Sequence, residues 1–268
     1  MNEVSIDQNS CIDANGNVYS TVKIGTQVWM AENLKSAKNN DGTSIERITD
    51  NTAWKDSGTA ARCEYNNNTD NSDIYGYLYN RYAVETGKLA PSGWRVPTLD
   101  DFKVLERYLG MSIPDSDLWQ GGYERGTNEG SKLAGRADLW TDADLESDAS
   151  FGTSGFNALP AGYREHVWGT FHNINTDAYF WTTTEVSWAT IQSHRRQIMH
   201  DHIDIHAGSG GLGSGHSVRC VKDDGEISMA SQAMSGISIT IPPSYASSDR
   251  WDTFGIPWNV SKEYWAIT

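Results

Sequence analysis

The sequence predicts an α+β fold built on antiparallel sheet. Three observations carry that reading. Apolar stripes at helical spacing fall in the first half of the chain. Short strand-like pieces broken by glycine fill the stretch from Phe151 onward. A strand-like segment stands near each end. Helices segregated from strands in this way argue for α+β rather than a parallel α/β sheet.

Taken in order, Asn15-Gly16 is a two-residue hairpin signal. It lies between a short leader and Val18 to Ile24, whose alternation suits an edge strand. Gly25-Thr26-Gln27 turns the chain, Val28-Trp29-Met30 is apolar, and Ala31 to Leu34 suits one helical turn. Residues 36–73 are polar and close on Asn66-Asn67-Asn68-Thr69-Asp70-Asn71. Carboxylates and amide carbonyls are calcium ligands, but the ordered spacing of a calcium loop is missing, so the run reads as solvated loop. Tyr75 to Thr86 reads as a helix, with Tyr75, Leu78, Tyr79 and Tyr82 on one face and Gly87 to end it. Pro91 to Pro97 is a turn and a short extended piece. Thr98-Leu99-Asp100-Asp101 then fits a capping box and opens a second helix, with Phe102, Leu105 and Leu109 inward and Gly110 as its stop. Residues 111–150 are loop-rich, with a short helix around Ser131 to Ala134. Gly121, Gly122, Gly126 and Gly130 do not join a strand to a long helix, so no phosphate cradle is read. Phe156 to Leu159, Gly162-Tyr163-Arg164 and Ala178 to Trp181 follow as strand-like pieces.

Composition excludes several classes of function. A formal net charge of -14 over 268 residues argues against nucleic acid, which needs a basic footprint, and against anionic membrane surfaces. No run of 18 apolar residues is present, so no membrane span is expected. The opening MNEVSIDQNSCID has neither the basic start nor the apolar core of a signal peptide. Core volume is expected from aromatics, since 11 Trp and 12 Tyr offset a hydrophobic fraction of only 38%. Cys11, Cys63 and Cys220 allow one disulfide at most, in any of three pairings, against buried thiols as the alternative.

The chain is organised around Phe180 to Val221. Phe180-Trp181 and Val218-Arg219-Cys220-Val221 suit buried strands. Between them, Ile203 and Ile205 alternate with His202, Asp204 and His206, as on a half-buried strand, and a Gly/Ser loop spans Gly208 to Gly215. A fixed frame around a freely composed face is the layout of a binding surface. His200, His202 and His206 with Asp201 or Asp204 are also nitrogen and oxygen donors for a transition metal. The plainer account is exposed histidines that meet a partner. A Cys220–His216 nucleophile is weaker still, because Cys220 lies in a framework motif. The acids at Asp100-Asp101 and at Asp142 and Asp144 fall at a helix start and in a loop, where a solvated face accounts for them.

The string Asp13 to Lys35, DANGNVYSTVKIGTQVWMAENLK, resembles the opening of the Fibrobacter succinogenes major paralogous domain. Five further strings match in order: Tyr75 to Asn80, Ala90 to Thr98, Gly155 to Arg164, Tyr179 to Glu185 and Ser217 to Val221. The resemblance implies a C-type-lectin-like fold, with two helices flanking small antiparallel sheets and the N- and C-terminal strands paired. Val18 to Ile24 is expected to pair with Ser217 to Val221. It implies no enzyme chemistry, and the cysteine pair of the related formylglycine-generating enzymes has no counterpart here. It further implies a surface or secreted module of Bacteroidetes-type bacteria or their phages, similar to variable proteins of diversity-generating retroelements. That mechanism substitutes template adenines, so Asn codons of the form AAY would yield His194, Arg195, Arg196, His200, Asp201, His202, Ile203, Asp204 and His206. Gln192, Gln197, Met199 and Trp188 would be template-fixed.

The function expected is a non-enzymatic recognition module in residues 1–224, without a resident cofactor, meeting a protein or glycan on another cell or host surface. The alternatives are a virion head or tail component and calcium-dependent carbohydrate binding. Localisation would be extracellular or cell-surface, or on the virion. Following the alternation, the ligand-binding residues would be Trp188, Thr190, Gln192, His194, Arg196, His200, Asp201, His202, Asp204 and His206. Arg and Trp are the usual anchors of protein interfaces. Residues 225–268 hold the alternating Ile237, Ile239 and Ile241, then Trp251, Phe254, Trp258, Tyr264 and Trp265. Such aromatic density suits docking, on the domain itself or as a homo-oligomer contact.

Overall fold

The structure is a computed structural model and describes residues 11–118, 125–186 and 192–223. Gly121, Gly122, Trp188, Thr190 and the aromatic segment 225–268 lie outside the described residues. The chain runs β1 (Cys11–Ile12), β2 (Val18–Tyr19), β3 (Thr21–Ile24), β4 (Gln27–Met30), β5 (Glu46–Arg47), α1 (Asn51–Asp56) and β6 (Ala61–Cys63). It continues through α2 (Asn71–Tyr75), β7 (Leu78–Tyr79), α3 (Arg81–Glu85), β8 (Trp94–Arg95), α4 (Leu99–Tyr108), α5 (Ile113–Asp117), α6 (Glu129–Leu133) and α7 (Asp144–Ser147). The second half is strand-rich: β9 (Ala161–Arg164), β10 (Phe171–Ile174), β11 (Asp177–Glu185), β12 (Gln192–Met199), β13 (His206–Gly211) and β14 (Val221–Lys222). The α+β class is therefore observed, in several small sheets. They run in the orders β3-β4-β14-β8, β11-β12-β13 and β5-β6-β7, with hairpins β1-β2 and β9-β10. Among the described strands, β5 with β6 is the one parallel pairing.

Local chemistry explains several departures from the expected elements. Ile12 pairs with Val18, so Asn15-Gly16 sits in a loop spanning 13–17 rather than a two-residue turn. The Asp13 carboxylate sets that width, accepting from Asn15 N at 2.8 Å, Asn17 N at 3.0 Å and Tyr19 Oη at 2.6 Å. The polar stretch 36–73 contains β5, α1, β6 and α2 rather than loop alone, and Ala31 to Leu34 makes no helical turn. The helix expected over Tyr75 to Thr86 shrinks to α3. Gly76 has φ +73°, and a Cβ there would sit 2.8 Å from the Leu34 carbonyl, so the chain must leave the helix where it crosses residues 33–34. Tyr77 N donates to Leu34 O at 3.0 Å. Asn80 Oδ1 then caps α3 through Ala83 N and also accepts from Ala61 N at 2.9 Å. By contrast, α4 starts where the sequence puts it, with Asp101 N donating to Thr98 Oγ1 and Thr98 N to Asp101 Oδ2.

The expected pairing of Val18–Ile24 with Ser217–Val221 is not formed: Val18–Tyr19 pairs with β1, and Thr21–Ile24 shares a sheet with β14 without pairing with it. Val221 pairs with Trp29 on one side and Arg95 on the other. Thr21–Ile24 lies one strand further out, beyond β4. Burial decides the order: Trp29 and Met30 are fully buried and need the inner position, while Lys23 is exposed and suits the edge.

Three apolar clusters form the interior. The first joins Trp29, Phe102, Leu105, Phe156, Phe180, Ile198 and Ile205. The second holds Cys11, Met30, Tyr79, Trp94, Trp181, Val218 and Cys220, and the third Trp54, Cys63, Leu78, Leu159 and Ala161. All three cysteines are free and buried. Two motif arginines knit the segments together. Arg164 is fully buried between the Trp54 and Phe171 rings and donates to the carbonyls of Ile48, Thr49, Asp50 and Gly169. Arg219 is equally buried against Phe156 and Phe180.

Candidate ligand-binding site

β12 is the middle strand of its sheet, and both of its faces are covered. On one face lie His194 and Arg196. Arg196 is fully buried, its Nε 2.5 Å from Glu106 Oε1 on α4, and Arg125 Nη2 donates to Glu106 Oε2 from the other side. Arg196 is thus the partner of a buried carboxylate rather than a member of a displayed face. His194 is buried as well, and Gln192 is half-buried, its Oε1 accepting from Ser209 Oγ at 2.8 Å. Alternation was the right pattern, but α4 covers the side the sequence assigned to solvent.

The opposite face of the sheet is an aromatic and polar layer. Tyr179 Oη donates to Asp177 Oδ2 at 2.7 Å, Gln197 Nε2 reaches the same oxygen at 2.8 Å, and Arg195 Nη1 donates to Gln197 Oε1 at 2.7 Å. The Arg195 guanidinium lies 4.8 Å from the Tyr179 ring centroid. His216 is enclosed by the rings of Tyr163, Tyr179 and Trp181, and among the described residues neither of its ring nitrogens has a hydrogen-bond partner. The first half of the expected glycine loop, 208–211, belongs to strand β13. Gly210 is required there, because a Cβ would stand 2.8 Å from both His216 Nε2 and the Trp181 ring.

Burial lowers the His216 imidazole well below its ordinary value, with Arg195 and His166 adding to the effect. Burial likewise lowers His194 and His206, reinforced by nearby arginines. Unfolded, each takes up its proton near pH 6.5, so below that pH the unfolded chain binds protons the folded chain refuses. Their contribution to stability is present above about pH 6.5 and is lost as pH falls. The expected slope from His216 alone is about 1.4 kcal/mol per pH unit, read as a falling melting temperature from pH 7 to pH 5. A flat profile would count against this enclosure.

The residues that do come together as a site lie beyond the strand ends. The expected strand through Asp201 to His206 is a turn and bend until His206. It connects β12 to β13 and is held from below. Leu145 N donates to His200 O at 2.9 Å, Ser131 N to Ile203 O at 2.9 Å, and Arg125 N to Asp204 Oδ2 at 3.0 Å. Asp201, His202, Ile203 and Asp204 form one wall of an open cleft of about 570 Å³, opposite Gly126-Thr127 and Asp144, Ser147 and Asp148 around α7. His202 Nδ1 lies 2.8 Å from Asp201 Oδ1, and this contact first of all holds the Asp201 carboxyl below its usual range. Asp204 is pushed the other way by burial.

Of the sequence-named residues, Asp201, His202 and Asp204 line this cleft. His200 contacts Asp201 at 3.8 Å, and His206 stands half-buried at the start of β13. Among the described residues, no group of three His, Cys, Asp or Glu side chains is placed to hold a metal ion. Asp144 and Asp148 were missed. The acid-rich run 142–148 was their signal, and nothing in its spacing places it opposite residue 201.

Gly130 of α6 underpins the loop. A Cβ there would collide with the Asp204 carbonyl and approach Ile203 O at 2.9 Å. Gly130→Ala is expected to displace the 203–204 backbone and cost about 1–3 kcal/mol, measured by urea denaturation. A loss below a few tenths of a kcal/mol would show a loop free to move.

The family model described as the Fibrobacter succinogenes major domain matches residues 22–222. No curated protein and no solved structure gives a match. Among the described residues, no helix is long and apolar enough to cross a membrane.

Proposed function

The chain belongs to the Fibrobacter succinogenes major domain family, and on that premise we propose that it is a non-enzymatic ligand-recognition module of C-type-lectin-like architecture. The observation that carries the reading is the cleft. Three separate segments, 126–127, 144–148 and 201–204, converge on it from a frame fixed by buried arginines and backbone hydrogen bonds. That is a rigid scaffold carrying a site on its connections. The architecture is supported by α3 and α4 beside β11, through Arg81 Nη2 to Thr183 O at 3.0 Å and Leu99 N to Thr184 Oγ1 at 2.9 Å, and by one sheet that holds strands from both ends of the domain, β3, β4 and β14.

The ligand is a protein or glycan outside the cell that displays the module, on a cell surface or a virion. If a retroelement diversifies the locus, Arg196 is not free to vary, being committed to Glu106, while His200, Asp201 and His202 of the loop are the accessible positions. Segment 225–268 would supply docking or self-association. The test is binding of the full chain to arrays of glycans and displayed surface proteins, with His200→Ala/Asp201→Ala/His202→Ala as comparator. A ligand bound by the parent and at least about tenfold more weakly by the variant supports the reading. Binding unchanged in the variant moves the site elsewhere.

A further inference from the structure

We propose that the cleft takes an organic cation, the guanidinium or primary ammonium of a basic side chain presented by a peptide segment of the partner. The inference rests on the recognition reading and names the chemistry of its ligand. Among the described residues, four carboxylates line the cleft, Asp144, Asp148, Asp201 and Asp204, and no Lys or Arg does. His202 is the one basic group on the described lining, and its Nδ1 lies 2.8 Å from Asp201 Oδ1. Asp148 Oδ1 accepts from Ser150 N at 2.8 Å.

Asp204 is different in kind. It is only 6% exposed, its Oδ2 accepts the Arg125 amide, and among the described residues its Oδ1 has no hydrogen-bond partner. The Arg125 guanidinium does not answer it, being turned to Glu106 and to the Ile205 and Ser116 carbonyls. A buried carboxylate oxygen without a donor is costly, and a cationic donor entering the cleft removes that cost by a charge-assisted bond.

The size and lining select an organic cation over a bare metal ion. Among the described residues, no three acidic, histidine or cysteine side chains converge on one point. A volume of about 570 Å³ instead fits an organic group. Ile203, Gly126 and Thr127 offer a wall for the methylene stem that lysine and arginine carry. The net charge of -14 steers such a partner toward the chain.

The experiment is calorimetric titration of the full chain with acetyl-Gly-Arg-Gly-amide. The same peptide with citrulline for arginine, glucosamine, and calcium chloride are titrated alongside. Expected are binding of the arginine peptide, a loss of about tenfold or more with citrulline, and a similar loss in Asp204→Asn and in the exposed Asp144→Asn. Asp56→Asn, remote from the cleft, should bind as the parent does. Asp204→Asn should fold, since it removes a buried charge, and its melting curve checks this; Asp144→Asn carries the test if it does not. Equal binding of the citrulline peptide, glucosamine as the only ligand, calcium as the only ligand, or no binding of any probe would each overturn the proposal. An array ligand lost in the loop variant but retained by Asp204→Asn and Asp144→Asn would overturn it while leaving the recognition reading intact.

Discussion

Glu106→Leu is expected to lower the unfolding free energy by about 3–5 kcal/mol or more, enough to unfold a domain of ordinary stability. Glu106, Arg125 and Arg196 have fully buried side chains. Removing the carboxylate leaves two guanidinium groups facing each other without water, and burial already pulls Arg196 below its ordinary range while Glu106 opposes that pull. The sign of the pair matters more than its presence. Replacing the whole triad, Glu106→Leu with Arg125→Met and Arg196→Leu, is expected to restore most of the loss, because apolar packing of similar volume avoids desolvating three charges. Urea denaturation of the single and triple variants decides it. A single variant within about 1 kcal/mol of the parent would mean that water reaches the triad.

Arg219→Leu and Arg219→Lys should both cost about 3–5 kcal/mol, although the second keeps the charge. Among the described residues, Arg219 has no carboxylate within ion-pair distance; its hydrogen bonds go to carbonyl and amide oxygens. It donates to Met30 O at 3.2 Å, Asn157 O at 3.1 Å, Phe156 O, and Asn33 Oδ1 through Nε at 3.2 Å and Nη2 at 2.7 Å. Its plane stacks on Phe156 at 4.6 Å and approaches Phe180 at 5.6 Å. Burial lowers it to about 9, so it remains cationic at neutral pH, solvated by carbonyl dipoles and ring faces. An ammonium offers three donors from one point and cannot span these acceptors or stack. Recovery of parental stability in Arg219→Lys would show that charge, not the fork, is what the core needs.

The legible parts of the fold were those decided locally. The capping box at Thr98 and Asp101 fixed the start of α4, and Phe102 and Leu105 face the core as their spacing requires. The strands around Tyr163, Phe180 and Val221 follow from apolar and aromatic runs. What sequence could not settle was decided across the chain. The approach of residues 33–34 to Gly76 ends a helix whose tyrosine stripe looked continuous. The phase of β12 was misjudged because an arginine on a strand reads as solvent-facing, and its answering Glu106 sits on the buried face of a helix 90 residues away. Half of the cleft was visible in Asp201, His202 and Asp204. The other half, Asp144 and Asp148, looks like any solvated acidic run until the backbone bond from Leu145 to His200 brings it across.

The sequestered thiols give this protein a built-in clock for its own opening. Burial raises Cys11 and Cys63 to about 12 and lifts Cys220 well above its ordinary value, so thiolate is scarce while the chain is closed, and alkylation must wait for exposure. Cys63 belongs to one apolar cluster, Cys11 and Cys220 to another. Labelling that proceeds at one common rate would mean that the clusters open together in a single cooperative event. Faster modification of Cys63 would mark the β5–β7 region as the first to part, on a timescale that equilibrium melting never sees.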